Sequence, residues 1–503
     1  MSKPFIFLDL FAGAGGTSTG AEQSGVANVA AAVNHDPVAI SSHAANHPNT
    51  VHFVEDINTL NINILKQIVS RQKQENPGAL VILWGSPDCT HFSRAKSGPK
   101  NRDTRSLAES LERYAEGLDV DMLLVENVEE FTSWGPLCEN GRPISRQEGR
   151  DYMKWVESIC KLGYKYEYRI LNAADYGAHT SRRRYFGMFY RPGVIPAWPT
   201  PTHAKKPISN VLFHEDRKAW RPVREVLDMN DWGRSIFERN KPLVDRTLRR
   251  IINGILKFAS EPQVMTCNTP GYCQTVNKPV GAITKAGHKA LVTPMLLKYY
   301  RTGQAVSTER SAPTITTKDR MALCTSVHWM DYNYGSQTSV TSIDAPVGTV
   351  TASPKIAAIS AAKLVSAFLV NPQFGNKGNS IHSPAPVVVA SQKSWPLSLA
   401  VASMGESKYW EPMPSDTETM RELKSVMRRF QISDIFMRML HESELSRIQG
   451  FPNGYILHGT AEHRKKQIGN AVVSHIPKAW LRALAAANNM TKNNYSQHPL
   501  QMS

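Results

Sequence analysis

One thiol, one carboxyl and a pair of guanidiniums stand in this chain where they could combine into nucleophilic chemistry. Cys89 follows the apolar run 79–84, which is too short for a helix and is broken by Gly85 and Pro87. That pattern predicts a buried strand delivering the thiol to a loop at its carboxyl end, where open α/β sheets bind ligands. A lone cysteine after a strand is otherwise most often a small buried hydrophobe, so its neighbours decide. Glu126 ends a second apolar run, 122–125, and should project from the same sheet edge. Arg182 and Arg184 alternate at a strand start, which turns both to one side and Arg183 away.

The elements that must position these groups are legible over residues 4–190. Short apolar runs alternate there with helical patterns: a strand over 5–10, a glycine turn, a helix from about 17, a strand over 29–33 and a helix from Asp36. Further helices are expected from about 61, near 106–117 and from about 147, with strands at 79, 122–125, 164–171 and 185–189. Such alternation indicates a doubly wound, mostly parallel sheet. A cluster of prolines from Pro192 to Pro207 suits a linker, so a boundary is expected at 195/196.

From about 265 to 395 the chain repeats itself. The cores Pro279–Thr284 and Pro346–Thr351 are near copies, Pro313–Thr316 is shorter and Pro386–Val389 is worn, at a pitch of roughly 33 to 40 residues. β-Branched residues after a proline turn suggest hairpins, hence a smaller, mostly β domain over 196–435. Lys285, Lys318, Lys355 and Lys393 follow the cores and suit a phosphate-tracking face. The α/β texture returns over 436–487, and 488–503 is a polar tail expected to fray.

The 503 residues carry a formal net charge of +16, which points to a polyanionic partner. The longest apolar stretch, 356–370, contains Lys363 and is too short to span a bilayer. No signal peptide is visible at the start, so a cytoplasmic protein is expected. Six cysteines without a C-x-x-C pair argue against a disulfide scaffold or structural zinc, and no metal is expected.

Taken in order, Phe7-Leu-Asp-Leu-Phe-Ala-Gly-Ala-Gly-Gly16, Pro87-Asp-Cys89, Leu124-Val-Glu-Asn-Val128, Arg182-Arg-Arg184 and Gln467-Ile-Gly-Asn-Ala-Val472 resemble the ordered motifs of the cytosine-C5 DNA methyltransferases, bacterial or phage type. The resemblance implies a Rossmann-like S-adenosylmethionine-dependent methyltransferase domain with a target-recognition domain. It implies cofactor contacts from Phe11, Gly13, Gly15, Asp36, Asp56, Ile57 and Asn470, and substrate contacts from Pro87, Asn127, Ser93 and Gln449. Cys89 would add to C6 of a flipped-out cytosine, Glu126 would polarise N3, and Arg182 and Arg184 would orient base and loop. Double-stranded DNA is the implied partner of a monomer, and a companion restriction endonuclease is compatible with that reading.

Three positions depart from the family pattern: Asn34 in place of glutamate, Thr180 in place of glutamine, and Asp88 in place of the proline before the cysteine. A carboxylate beside the thiol disfavours the thiolate by like-charge repulsion, so either slower chemistry than with proline or a compensating arginine nearby is expected. For Asp36 and Asp56, a helix-cap or turn role competes with cofactor binding. Two other readings stay open: a transfer-RNA methyltransferase sharing the core, and a silent DNA-binding protein on the same fold. A nicotinamide oxidoreductase lacks the third fingerprint glycine, since Ser18 stands there.

Overall fold

The computed structural model describes residues 3–87, 106–136, 149–206, 216–228, 230–258, 263–266, 272–275, 289–292, 327–334, 337–342, 356–361, 366–370, 379–381, 384–385, 398–404 and 407–489. Asp88, Cys89, Ser93, the four proline cores and the lysines after them lie outside these residues, as does the chain beyond 489. Two compact units emerge, 1–227 with 382–395 and 441–503, and 228–381 with 396–440.

In the first unit β1 (Phe5–Leu10) is buried throughout, because it is central in a sheet covered on both faces. The strand order is β3–β2–β1–β4–β5–β7–β6, with β2 at Ala27–Asn34, β3 at Val51–Val54, β4 at Leu80–Gly85, β5 at Met122–Asn127, β6 at Lys165–Asn172 and β7 at Arg183–Tyr190. All neighbours up to β5 are parallel, and β7 alone runs the other way. The order reverses between β1 and β4, so their carboxyl ends open a crevice. Leu10 pairs with Gly85 in register, which brings the glycine turn after β1 beside Ser86 and Pro87 after β4.

Helices α1 (Gly16–Ser24), α2 (Pro37–Asn46), α3 (Ile62–Glu75), α4 (Ser110–Leu118) and α5 (Arg150–Lys161) follow the strands in alternation. The core behind one sheet face draws on α3, α4 and α5 through Leu65, Leu111, Tyr114, Trp155 and Ile159. On the other face, Trp84 lies edge-on to Trp480 at 5.8 Å and Trp198 stacks on Trp480 at 4.8 Å.

That last contact corrects the expected boundary at 195/196. The proline-rich segment packs onto the first unit rather than linking away from it: Tyr176 donates to the Pro199 carbonyl, and Trp220 Nε1 donates to Asp175 at 2.8 Å. The first unit therefore runs to Leu227. Ala385 returns to it as well, exchanging backbone hydrogen bonds with His179 and Ser181.

The second unit holds a five-stranded antiparallel sheet of Arg234–Ser235, Ile432–Met439, Ser398–Met404, Ser366–Val370 and Asn379–Ser380, plus two three-stranded antiparallel sheets. Helices α6 (Asp245–Phe258) and α7 (Glu418–Arg429) supply Leu248, Ile251, Ile252, Ile255, Leu423 and Met427 to its core. Because Ile432–Met439 belongs to this sheet, the return to the first unit begins at His441, not at 436. There α8 (Glu442–Ile448), α9 (Ala461–Asn470) and α10 (His475–Ala487) complete the fold. Among the described residues, no helix is long and apolar enough to cross a membrane.

Candidate active site

The crevice between β1 and β4 holds a cavity of about 500 Å³. Phe11, Gly13, Ala14 and Gly16 form one wall, and Phe11 and Gly13 both adopt positive φ, 63° and 52°. For a phenylalanine this conformation is uncommon and costs energy, so the surrounding fold must impose it, and such strain concentrates at ligand sites. Asp36, Asp56 and Ile57 line the cavity from the ends of β2 and β3, and Asn470 from α9.

Asp36 is also the N-cap of α2: its Oδ1 accepts from the Val38 and Ala39 amides at 2.9 and 3.4 Å. Both bonds fall on one oxygen, so capping and ligand binding are compatible. Asp56 similarly accepts from Asn58 N at 2.8 Å and shapes the turn that buries Ile57.

Gly15 does not line the cavity. It begins α1 at φ 97°, and a side chain there would meet the Tyr455 hydroxyl at 2.6 Å and His47 Nε2 at 2.8 Å. Its glycine answers a close approach from behind the turn rather than a ligand in front of it.

The far end of the cavity contains Pro87, Glu126 and Arg182. Glu126 is buried at the end of β5, and burial raises its pKa while the guanidiniums of Arg184 and Arg182 pull it back. Arg184 Nε stands 3.5 Å from Glu126 Oε1. Arg183 faces away and pairs with Glu129 at 3.2 Å, as the strand alternation requires. Arg182 donates to the Gly469 carbonyl at 3.0 Å, tying β7 to α9 beside Asn470.

Asn127 and Gln449, expected to touch substrate, are buried, and each braces a backbone carbonyl. Asn127 donates to the Pro87 carbonyl at 3.2 Å and accepts from Val128 N, which holds the segment leading to Cys89. Gln449 donates to the Ile468 carbonyl at 3.0 Å and so supports α9. Buried backbone carbonyls need such partners, and both amides answer that need.

His463, Lys466 and Gln467 also line the cavity and were not anticipated. Their spacing with Asn470 is i, i+3, i+4, i+7, one helical face; the motif that singled out Asn470 includes Gln467, whereas His463 and Lys466 precede it and could be found only by extending the helix backwards. Among the described residues no cluster of histidine, cysteine or carboxylate suits a metal ion.

A family model described as C-5 cytosine-specific DNA methylase matches residues 5–485. The chain belongs to that family. Among its methylase relatives, DNA (cytosine-5)-methyltransferase 3 of Arabidopsis thaliana is 26% identical over 269 residues, 44% of this chain and 18% of that protein. The type II methyltransferase M.XorII of Xanthomonas oryzae is 32% identical over 206 residues, 40% of this chain and 44% of that protein. The matched part thus spans under half the length of either methylase. A putative DNA modification methyltransferase encoded in an E. coli prophage aligns in structure with a TM-score of 0.43 at 17% identity, covering 96% of this chain and 99% of that one.

Proposed function

We propose that this chain transfers the methyl group of S-adenosylmethionine to carbon 5 of cytosine in DNA. One observation carries the reading: the strained glycine turn, the paired carboxylates Asp36 and Asp56, and the buried Glu126 open into a single cavity. The cavity fits the cofactor, since a turn of glycines and alanine allows close backbone approach and carboxylates suit ribose hydroxyls and an adenine amine. Phe11, Gly13, Asp36, Asp56, Ile57 and Asn470 would hold S-adenosylmethionine, which supplies an electrophilic methyl carbon when bound.

The residues of the chain then divide the remaining work. Cytosine C5 is a poor nucleophile until a thiolate adds to C6. Cys89, four residues past the end of β4 in sequence, forms the S–C6 bond. Glu126, whose pKa burial raises, donates a proton to N3, so the ring's negative charge is neutralised as the bond forms. After methylation the C5 proton leaves to a base, the S–C6 bond breaks to return the thiolate, and N3 returns its proton to Glu126. Arg184 orients the Glu126 carboxyl, and Arg182 with Asn127 fixes the walls around it. A base inside a duplex is shielded by its neighbours, so the target must leave the stack to reach this pocket. The net charge of +16 favours the phosphate backbone.

The test is incubation with labelled S-adenosylmethionine and mixed-sequence DNA, with 5-methylcytosine mapped at base resolution beside a Cys89→Ser control. Methylation in a fixed context that vanishes in the control is the expected result. Salt-sensitive DNA binding without methylation, or transfer to RNA alone, would overturn it.

A further inference from the structure

The loop between α8 and α9 is stitched onto α2. Ile456 N donates to Asn46 Oδ1 at 3.0 Å, Asn46 Nδ2 donates to the Ile456 carbonyl at 2.7 Å, and His458 N donates to Ser42 Oγ at 2.8 Å. This stitching sets Tyr455 behind the glycine turn. Its hydroxyl donates to the Ala14 carbonyl at 2.6 Å, accepts from Thr19 Oγ1 at 3.3 Å, and lies 3.1 Å from His47 Nε2. His47 is buried at the end of α2, with Nδ1 3.0 Å from the Glu22 carboxylate.

The peptide joining Ala14 to Gly15 is thereby held at both ends. Gly15 N donates to the Ala12 carbonyl at 3.0 Å, and the Ala14 oxygen on the same plane accepts from Tyr455. Rotation of that plane would break both bonds, and Ala14 lines the cavity. The ring and the hydroxyl of Tyr455 also have separable roles. The ring packs on Phe451 with centroids 4.4 Å apart, whereas the hydroxyl alone reaches the turn. Burial pushes the hydroxyl's pKa up, so it stays a donor.

We infer that Tyr455, backed by His47, is a positioning residue for the cofactor site: it fixes the Ala14–Gly15 peptide and thereby sets the turn for S-adenosylmethionine. The inference rests on the proposed reading of the cavity. It assigns the segment 451–459 a part in cofactor affinity that none of its side chains touching the ligand would explain, since Tyr455 does not line the cavity.

The experiment is calorimetric titration of the full chain, without DNA, with S-adenosylmethionine and S-adenosylhomocysteine. Tyr455→Phe keeps the ring and removes the hydroxyl, leaving a buried carbonyl unpaired. Its Kd should rise about 5- to 150-fold, the range for one buried hydrogen bond lost with its acceptor orphaned. KM for S-adenosylmethionine should rise by the same factor while kcat stays within about twofold. Asn46→Ala, which loosens the stitch from α2, should raise Kd in the same direction. Tyr164→Phe is the control: it removes a buried tyrosine-to-carbonyl bond, to Val120 at 2.7 Å, away from the cavity, and should leave Kd unchanged.

Tyr455→Phe binding within twofold of the unmodified chain overturns the inference. So does an equal weakening in Tyr164→Phe, which would mark a general loss of stability, or a fall in kcat with KM constant. If the unmodified chain binds neither nucleoside, the cofactor reading itself fails and takes the inference with it.

Discussion

Asp9 sits wholly buried on β1, where Ser18 Oγ donates to its Oδ2 at 2.6 Å. Burial raises its pKa from 3.8 to about 7, against the lowering effect of Ser18 and His47. A carboxyl whose folded value lies above its unfolded one binds more protons when folded. Stability therefore falls as pH rises between about 4 and 7 and levels off above that window. Asp9→Asn removes this dependence, so its unfolding free energy minus that of the unmodified chain should grow across the window, by ~4 kcal/mol at most at about 1.4 kcal/mol per pH unit. Denaturant titrations at a series of pH values read the difference; a flat one rules the account out. At Glu126 the opposing guanidiniums give a second expectation. Arg184→Gln removes a charge that holds the carboxyl down, so the alkaline limb of the single-turnover rate should move to higher pH, even though the rate itself drops. Glu126→Gln, which cannot give up a proton, should cost about 10²- to 10⁴-fold in that rate while leaving cofactor titration intact. At this scale the sequence disclosed residue types better than residue partners. Asp36 and Asp56 reached the cavity, but the bonds that make Asn127 and Gln449 braces run to carbonyls of Pro87 and Ile468, which pattern reading does not bring together.

α1 is nearly featureless in apolar pattern yet packs closely against the segment leading into α10, because its near face is glycine. A Cβ on Gly16 would stand 2.3 Å from the Val472 carbonyl, and one on Gly20 2.4 Å from that of Ser474. Backbone cannot yield to such overlap without separating α1 from α10, and overpacking of this kind typically costs about 1–3 kcal/mol. Gly20→Ala should therefore lower the melting temperature of the first unit, read by circular dichroism. Gly16→Ala should in addition weaken cofactor binding, since Gly16 lines the cavity. The alternation of strands and helices up to β7 was legible because buried parallel strands read as unbroken apolar runs. β3 was not: it is four residues long, at the sheet edge and half exposed, so its composition shows no buried run. α6 was missed for another reason. Leu248, Ile251, Ile252 and Ile255 have clear helical spacing, but they lie ahead of the proline-centred repeats, in a domain that those repeats led us to expect as mostly β.

Each of the two units closes its own core, and only the first holds the cavity. Ligand that binds one folded unit stabilises that unit by mass action, by ~2.7 kcal/mol at a hundredfold excess over Kd. Differential scanning calorimetry should then show S-adenosylmethionine raising one melting transition and leaving the other in place; a joint shift would mean that the units unfold as one. The boundary between them was misplaced from sequence because prolines signal interrupted hydrogen bonding, not departure from a core, and the nearby Trp198 docks on Trp480. A further consequence follows from the order in which the first unit is assembled. The turn after β1 and the α9 face that completes its cavity are separated by roughly 450 residues. At the usual elongation rate of ~5–20 residues per second, the ribosome makes the first some 20 to 90 s before the second. From the synthesis of Phe186 until that of Trp480, the nascent chain carries Trp84 and Phe186 without Trp480, and α1 without α10. Growing chains thus expose an unfinished apolar face to chaperones and to one another, and each lacks a complete cofactor pocket until α9 has been made.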